Sequence, residues 1–398
     1  MGLAHDEPSR AADEVRAVFR GQWANGMLPH MIFAEGVHDV GSRRIWQSTR
    51  NPLAPRDVAT SCITQPPLVA IAAQRVASAL PPTDRRKFLT ELLPKLVAYH
   101  SWLYAERDPE QRGLVTLIHP WESGLDTSPP WMRGLERMPM PWWLRVASAL
   151  RLARLLRRLR YDTRQLPALE RTSDDDGLRM LALAVLLKKH HFELRRLPAT
   201  RAVLIEDLAF NALLVVANRA LEEIAAELGE DLPEALLTGF RRAEGALETL
   251  WDDETGQYFS RDAVTGARIE LPTIATFFPL WSRALPSSRA AQLVQRLRDP
   301  AQYWPDHPVP SVPLDAAQFE AARYWKGPTW VNANWIIIEG LVAHGEAELA
   351  ASLRDKTLGL VDAAGCYEYF SSITGQGHGA DDFSWTAALT IDLLHSTE

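Results

Sequence analysis

Two carboxylic acids four residues apart, Glu122 and Asp126, stand in the segment HPWESGLDTSP (His119–Pro129), beside Trp121, Ser123, Gly124, Ser128 and Pro129. Gly and Pro disfavour a regular helix there, so the segment reads as a loop or the start of a helix. Two acids and an indole in a constrained loop add little to a core. They suit a pocket that grips a hydroxyl-rich ligand and protonates it. A capped turn around a buried Trp is the bland alternative, and the motif alone weighs the two evenly, because short motifs often match by chance.

Further segments of the same kind shift that balance. In Tyr367-Glu368-Tyr369-Phe370, an acid sits between aromatics in a β-like run that leads into GQGHGADDFSW. Alternation along a strand turns Glu368 away from Tyr367 and Tyr369. A carboxylate among aromatics is partly desolvated and can serve as a base near neutral pH; a solvent-facing Glu on a hairpin is the alternative. Asp381 and Asp382 precede the last helix and are expected to cap it, with support of the pocket as the alternative. The stretch HPVPSVPLD, then ARYWKGPTWVNANW (His307–Trp335), gathers Tyr324, Trp325 and Trp330 at a helix start. Asn332 and Asn334 fall in that helix's first turns, where amides reach ligand hydroxyls or pack the start. Gln65, in Ile63-Thr64-Gln65-Pro66-Pro67, stands before another helix with Pro66 in its first turn. Its amide either bonds a sugar hydroxyl or satisfies backbone groups.

The elements that must position these residues are helical. Leu214, Ala217, Leu221, Ile224, Ala225 and Leu228 mark one face, and Leu236, Phe240, Ala243, Leu247 and Leu250 another. Only Gly229–Pro233 lies between, which predicts an antiparallel hairpin. A nearly uncharged helix over Pro66–Leu80 precedes a charged one ending near Glu106. An apolar helix over Trp330–Val342 precedes a charged one over Ala347–Leu360. An all-round apolar helix belongs inside and a striped one outside. About eleven helices are expected, close to the twelve of a double ring of six hairpins. The loops between are long and rich in Pro, Gly and Trp, as functional loops are. Two are expected to be β-hairpins, turning at Thr255-Gly256 and Thr374-Gly375. No linker is evident, so one domain over 1–398 is expected.

Composition narrows the class. The 398 residues are 46% hydrophobic and 23% charged, with net charge −7, an ordinary globular balance. No basic patch interleaved with aromatics points to nucleic acid. The Arg151–Arg164 run carries leucines at helical spacing and reads as a solvated helix face. Two cysteines, Cys62 and Cys366, argue against a disulfide or zinc framework. The N-terminus has no signal-peptide core and no apolar run reaches spanning length, so a soluble cytoplasmic protein is expected. The 14 tryptophans are unusual. Trp121, Trp325, Trp330 and others lie in loops beside acids, where an indole can stack on a pyranose or plug a gap between helices.

Together, NGMLPHMIF (Asn25–Phe33), ITQPP, HPWESGLDTSP, HPVPSVPLD, RYWKGPTWVNANW, YEYF and TGQGHGADDFSW resemble glycoside hydrolase family 63, in its bacterial mannosylglycerate/glucosylglycerate hydrolase branch. The segments span nearly the whole chain in the expected order. The resemblance implies an all-α (α/α)6 barrel and an inverting hydrolysis with no metal or organic cofactor. It puts Asp126 on the general acid and Glu368 on the general base. Gln65, Tyr324, Trp325 and Trp330 fall on the sugar-binding wall, with Trp121 and Glu122 beside them, Glu122 supporting through hydrogen bonds. Arg160 in RYDT falls loosely on an arginine that meets the glycerate carboxylate.

There are departures. The family's Asp-Asn-Ser-Pro is Asp126-Thr127-Ser128-Pro129 here, and Met132, not Asp, follows Trp131. The family's Trp-x-Trp-Asp-Ser segment has no counterpart before the first helix. A barrel incomplete at the N-terminus is therefore expected, with the native start upstream of Met1 or the chain a decayed paralogue. Three readings stand: an inverting α-glycosidase acting on a small glucoside or mannoside, a trehalase-like α-glucosidase, and a non-catalytic sugar-binding protein. The expected partner is a small glycoside, with no nucleic acid and no membrane; oligomeric state is open.

Overall fold

The computed structural model describes residues 1–34, 45–139, 167 and 170–396. Arg160 and the Arg151–Arg164 run lie outside the described residues. Among the described residues, the helices of nine or more residues are, in order, α1 (Pro8–Val18), α2 (Val69–Ala79), α3 (Pro82–Arg107), α4 (Pro129–Arg137), α5 (Asp174–Lys189), α6 (Leu208–Leu228), α7 (Glu234–Leu247), α8 (Ser287–Leu297), α9 (Val331–Ala343), α10 (Ala347–Ala364) and α11 (Ser384–His395). None of the described helices is long and apolar enough to cross a membrane. The chain forms two compact units. Unit 1 is Met1–Gly124, Ala184–Pro198 and Leu204–Thr249; unit 2 is Leu125–Leu183, Ala199–Val203 and Leu250–Glu398.

In unit 1, α6 packs on α2, α3 and α7. Fifteen of its 21 residues are buried, which makes it an inner helix. It starts where the Asp207 side chain accepts from the Phe210 N–H, at 3.0 Å. It stops at Gly229, whose φ of +73° is the left-handed conformation that closes a helix. The short turn then sends α7 back, burying Leu236, Phe240, Ala243 and Leu247. The predicted hairpin is therefore present. Helix α2 begins at Val69, later than the sequence suggests, because Pro67 disfavours helical geometry at Pro66. The Leu68 N–H instead donates to the Pro66 carbonyl at 2.8 Å and closes a turn.

In unit 2, α9 is nearly all buried and packs on α10 and α11. Trp335 Nε1 donates to Asp392 Oδ2 of α11 at 2.8 Å. Both predicted β-hairpins form. β1 (Trp251–Asp252) pairs with β2 (Gln257–Tyr258), and β3 (Tyr369–Phe370) with β4 (Gly377–His378). Gly256 and Gly375 take positive φ at their turns. The expected capping by Asp381 and Asp382 does not occur. Phe383 is the N-cap of α11, with no side-chain cap bond, and both aspartates are exposed. The Phe383 N–H is drawn to the Cys366 carbonyl at 2.7 Å, and Asp382 turns through φ +49° to reach that register.

Candidate active site

The His119–Pro129 segment passes from unit 1 to unit 2 between Gly124 and Leu125. Its two acids therefore fall in different units and in different surroundings. Glu122, in unit 1, is sealed. Arg107 at the end of α3 donates Nη2 to Oε1 at 2.6 Å and Nη1 to Oε2 at 3.0 Å. The Thr64 and Ile118 N–H groups add bonds of 3.1 and 2.8 Å. Four donors fill the carboxylate, and its side chain has no exposure. Glu122 thus binds protein and ties the Thr64 loop to α3 and to its own loop; the structure does not offer its oxygens to a sugar.

That tie positions Gln65. Tyr99 Oη donates to the Gln65 carbonyl at 2.9 Å and lies 2.8 Å from Thr64 Oγ1. With its backbone held, Gln65 keeps an exposed side chain. Trp121 is partly exposed, against His119 at 4.4 Å and edge-on to Trp46 at 6.0 Å. In this unit, then, Gln65 and Trp121 have accessible side chains and Glu122 does not.

Unit 2 gathers the rest. The Thr329 N–H donates to the Phe370 carbonyl at 2.8 Å and the Phe370 N–H returns a bond to Thr329 at 2.9 Å, so the start of α9 is laid beside β3. Trp325 and Trp330 stack face to face, 3.8 Å between centroids, and Tyr369 continues the stack at 4.7 Å from Trp330. Trp330 Nε1 donates to the Tyr324 carbonyl at 3.1 Å, which satisfies the buried indole. Tyr324 itself sits at φ +38°, an uncommon conformation outside glycine, and meets Trp330 edge-on at 5.2 Å. The Trp325 N–H donates to Thr127 Oγ1 at 3.3 Å, which fixes the residue next to Asp126.

Glu368 is buried and ion-paired. Arg171 donates Nη1 to Oε1 at 3.0 Å, and its Nη2 lies 2.9 Å from Oε2. The Ala380 N–H adds a second hydrogen bond, 3.2 Å to Oε2. The Arg171 guanidinium also lies over the Tyr324 ring at 5.4 Å. Asp126 is half-buried, and among the described residues no arginine forks it. Burial, then the negative charge of Glu368, pushes its carboxyl up to about 7, against the opposing pull of its own N–H and of Arg171. Burial and the charges of Asp126 and Glu368 also push the Tyr324 hydroxyl well above its ordinary range. The cluster therefore holds a carboxyl that stays protonated to neutral pH, a carboxylate paired with arginine, a neutral phenol donor and an indole stack.

The structure thus assembles Asp126, Glu368, Tyr324, Trp325 and Trp330 in unit 2. Asn334 has its amide committed to Val309, Pro308 and Thr357, so it fastens α9 to its surroundings. Arg171 was not legible as part of the cluster: it lies 197 residues from Glu368 in a polar stretch before α5, and no spacing links the two.

The family of the chain follows from what it is similar to. A mannosylglycerate hydrolase MGH1-like glycoside hydrolase domain matches residues 1–386. A mannosylglycerate hydrolase of Thermus thermophilus is 38% identical, over 98% of this chain and 91% of its own. A glucosylglycerate hydrolase of Mycolicibacterium hassiacum is 32% identical, over 99% of this chain and 89% of its own. A solved family 63 mannosylglycerate hydrolase from a second strain of Thermus thermophilus, in complex with Tris and D-glycerate, superposes with a TM-score of 0.85 at 37% identity, covering 98% of this chain and 90% of that one. Fold and comparisons together define an inverting glycoside hydrolase of the all-α (α/α)6 class. More narrowly, the chain belongs to the mannosylglycerate hydrolase MGH1-like branch of glycoside hydrolase family 63.

Proposed function

We propose that this chain hydrolyses a small α-glycoside of glycerate, mannosylglycerate or glucosylglycerate, with Asp126 as general acid and Glu368 as general base. The observation that carries the reading is the pairing of a carboxyl pushed up to about 7 with a carboxylate forked by arginine. Inversion needs two such groups in different protonation states, about 6.5–9.5 Å apart to admit a water. Asp126 protonates the glycosidic oxygen as the anomeric C–O bond breaks. Water attacks the anomeric carbon from the opposite face and passes its proton to Glu368. The products are the sugar with inverted anomeric configuration and free glycerate. Tyr324 donates to a sugar hydroxyl or ring oxygen, while Trp325 and Trp330, expected as a sugar-binding wall, are buried in a stack with Tyr369 and back Tyr324 instead. Gln65 and Trp121 serve as further sugar contacts, and Arg160 as the receptor for the glycerate carboxylate. Residues 1–398 act as one catalytic domain, a reading supported by the single family match over 1–386.

The substrate class follows the relatives, whose names carry mannosylglycerate and glucosylglycerate and one of which was solved with D-glycerate. The test is proton NMR of the purified chain with mannosylglycerate, glucosylglycerate and trehalose. The expected result is glycerate release with the β-anomer of mannose or glucose appearing first. Turnover of trehalose alone would overturn the substrate, and the α-anomer appearing first would overturn the roles of the two acids.

A further inference from the structure

The two oxygens of Glu368 are not equivalent. Oε2 accepts the Ala380 N–H at 3.2 Å and is in ion-pair contact with Arg171 Nη2 at 2.9 Å. Oε1 has one donor among the described residues, Arg171 Nη1 at 3.0 Å. A carboxylate oxygen has two lone pairs, so among the described residues Oε2 meets two N–H groups and Oε1 one, which leaves Oε1 the oxygen with room for a further donor. The backbone behind Oε2 is packed against it. A Cβ placed on Gly379 would come within 2.5 Å of that oxygen, and Gly379 holds φ +73°.

The same turn is gripped from outside. Glu170 accepts the Gly379 N–H at 2.8 Å on one carboxylate oxygen, and the other lies 3.1 Å from His378 Nδ1. The Glu170 carbonyl accepts from the Tyr369 hydroxyl. Glu170 and Arg171 are chain neighbours. One dipeptide therefore fixes the carboxylate directly and, through Gly379-Ala380, the backbone donor on its far oxygen.

We propose that Glu170 and Arg171 are positioning residues for the base, and that they select Oε1 as the oxygen that receives the proton from water. The inference rests on Glu368 being the base. In the step it describes, one O–H bond of water breaks toward Oε1 while the water oxygen bonds to the anomeric carbon. The electron pair of the anomeric C–O bond leaves with the glycosidic oxygen, which takes its proton from Asp126. Oε2 stays an anchor throughout.

The test compares Arg171→Gln, Arg171→Lys, Glu170→Ala, Glu170→Gln and Glu368→Gln on the glycerate glycoside and on the fluoride of the same sugar, which carries no carboxylate. A misplaced reacting group costs on the order of a hundredfold in rate. Arg171→Gln should lower kcat about that much on both substrates, with KM nearly unchanged, and Arg171→Lys should recover part of it. Glu170→Ala should lower kcat about tenfold, and Glu170→Gln, which still accepts the Gly379 N–H, should restore most of that. A rise in KM confined to the glycerate glycoside, with kcat unchanged, would make Arg171 a substrate ligand and overturn the proposal. So would wild-type kcat in both Glu170→Ala and Arg171→Gln. Full turnover by Glu368→Gln would remove the base assignment itself, which separates that failure from a failure of the positioning idea. Should Arg171→Gln not fold, the Glu170 pair decides alone.

Discussion

Two buried carboxylates among the described residues each face an arginine through both oxygens, and their surroundings differ. The Glu122–Arg107 pair has side-chain exposures of 0% and 2%, and four protein donors fill the carboxylate. The Glu368–Arg171 pair has exposures of 6% and 15%, with two hydrogen-bond donors among the described residues and one further ion-pair contact. It also lies near a second acid, Asp126, and a phenol, Tyr324. The ion-pair geometry is nearly the same in both, so the fork itself does not mark a functional site. What distinguishes Glu368 is a lone pair without a donor among the described residues and a neighbour whose protonation its charge raises. A satisfied buried carboxylate is a brace, while a partly satisfied one beside a protonated acid can accept a proton.

The largest effect expected is on rate. Asp126→Asn and Glu368→Gln should each lower kcat on the glycerate glycoside by about a thousandfold, within the range for removing a general acid or base. Both should retain wild-type far-ultraviolet circular dichroism, since each substitution keeps the shape of the side chain. A loss below tenfold for either would erase the contrast between the two forks.

The second fork should respond in stability. Arg107→Met leaves the Glu122 carboxylate buried without its counter-ion, and breaking such a pair costs about 3–5 kcal/mol. The double variant Arg107→Met/Glu122→Gln removes the stranded charge and should be more stable than Arg107→Met alone, though still below wild type. Urea unfolding of the three proteins measures this. If Arg107→Met loses under 1 kcal/mol, roughly a surface-pair value, the pair is not the brace described here.

Much of the scaffold was legible in the sequence because it rests on local rules. The α6–α7 hairpin follows from periodicity, the Asp207 cap and Gly229, and the β3–β4 turn follows from Thr374-Gly375. Asp126, Glu368, Tyr324, Trp325 and Trp330 could be nominated because each stands in a distinctive short segment, and the structure brings them into one unit. Glu122 misled, since nothing in WESG tells a saturated carboxylate from an open one: its four donors come from Thr64, Arg107 and Ile118. Glu170 and Arg171 were silent for the same reason. Their partners are Glu368, His378 and Gly379, about two hundred positions away, and long-range pairing leaves no periodic trace. Asp382 misled differently, because a strong local capping preference lost to the Phe383–Cys366 backbone bond.

A smaller effect concerns pH. The Asp126 carboxyl is raised to about 7 in the folded chain, from 3.8 in a model carboxyl. The folded state therefore binds the extra proton between those values, and stability falls as pH rises through that window. The stabilising share is fully present below about pH 4 and lost above about pH 7. Asp126→Asn removes the charge, so it should raise the Tm relative to wild type at pH 8 and leave it nearly equal at pH 4. In activity, kcat/KM should fall on the alkaline side with a midpoint near 7, as the acid loses its proton. A Tm gain for Asp126→Asn that is the same at both pH values would trace to packing instead, and would separate Asp126 from the role its surroundings suggest.

The smallest effect belongs to the acids that are neither brace nor catalyst. Asp381 and Asp382 are exposed and make no cap bond to α11. A true N-cap loses about 1 kcal/mol on truncation to alanine, whereas an exposed residue with no such bond stays within about 0.5 kcal/mol. Asp381→Ala should fall in the second class. Asp382→Ala should lose a little more, because Asp382 holds φ +49°, a conformation that aspartate tolerates better than alanine. Asp382→Gly removes that strain and should recover the difference, which assigns the loss to backbone conformation. Recovery in Asp382→Ser as large as in Asp382→Gly would instead restore the capping role, since serine supplies a cap oxygen but gains nothing at positive φ.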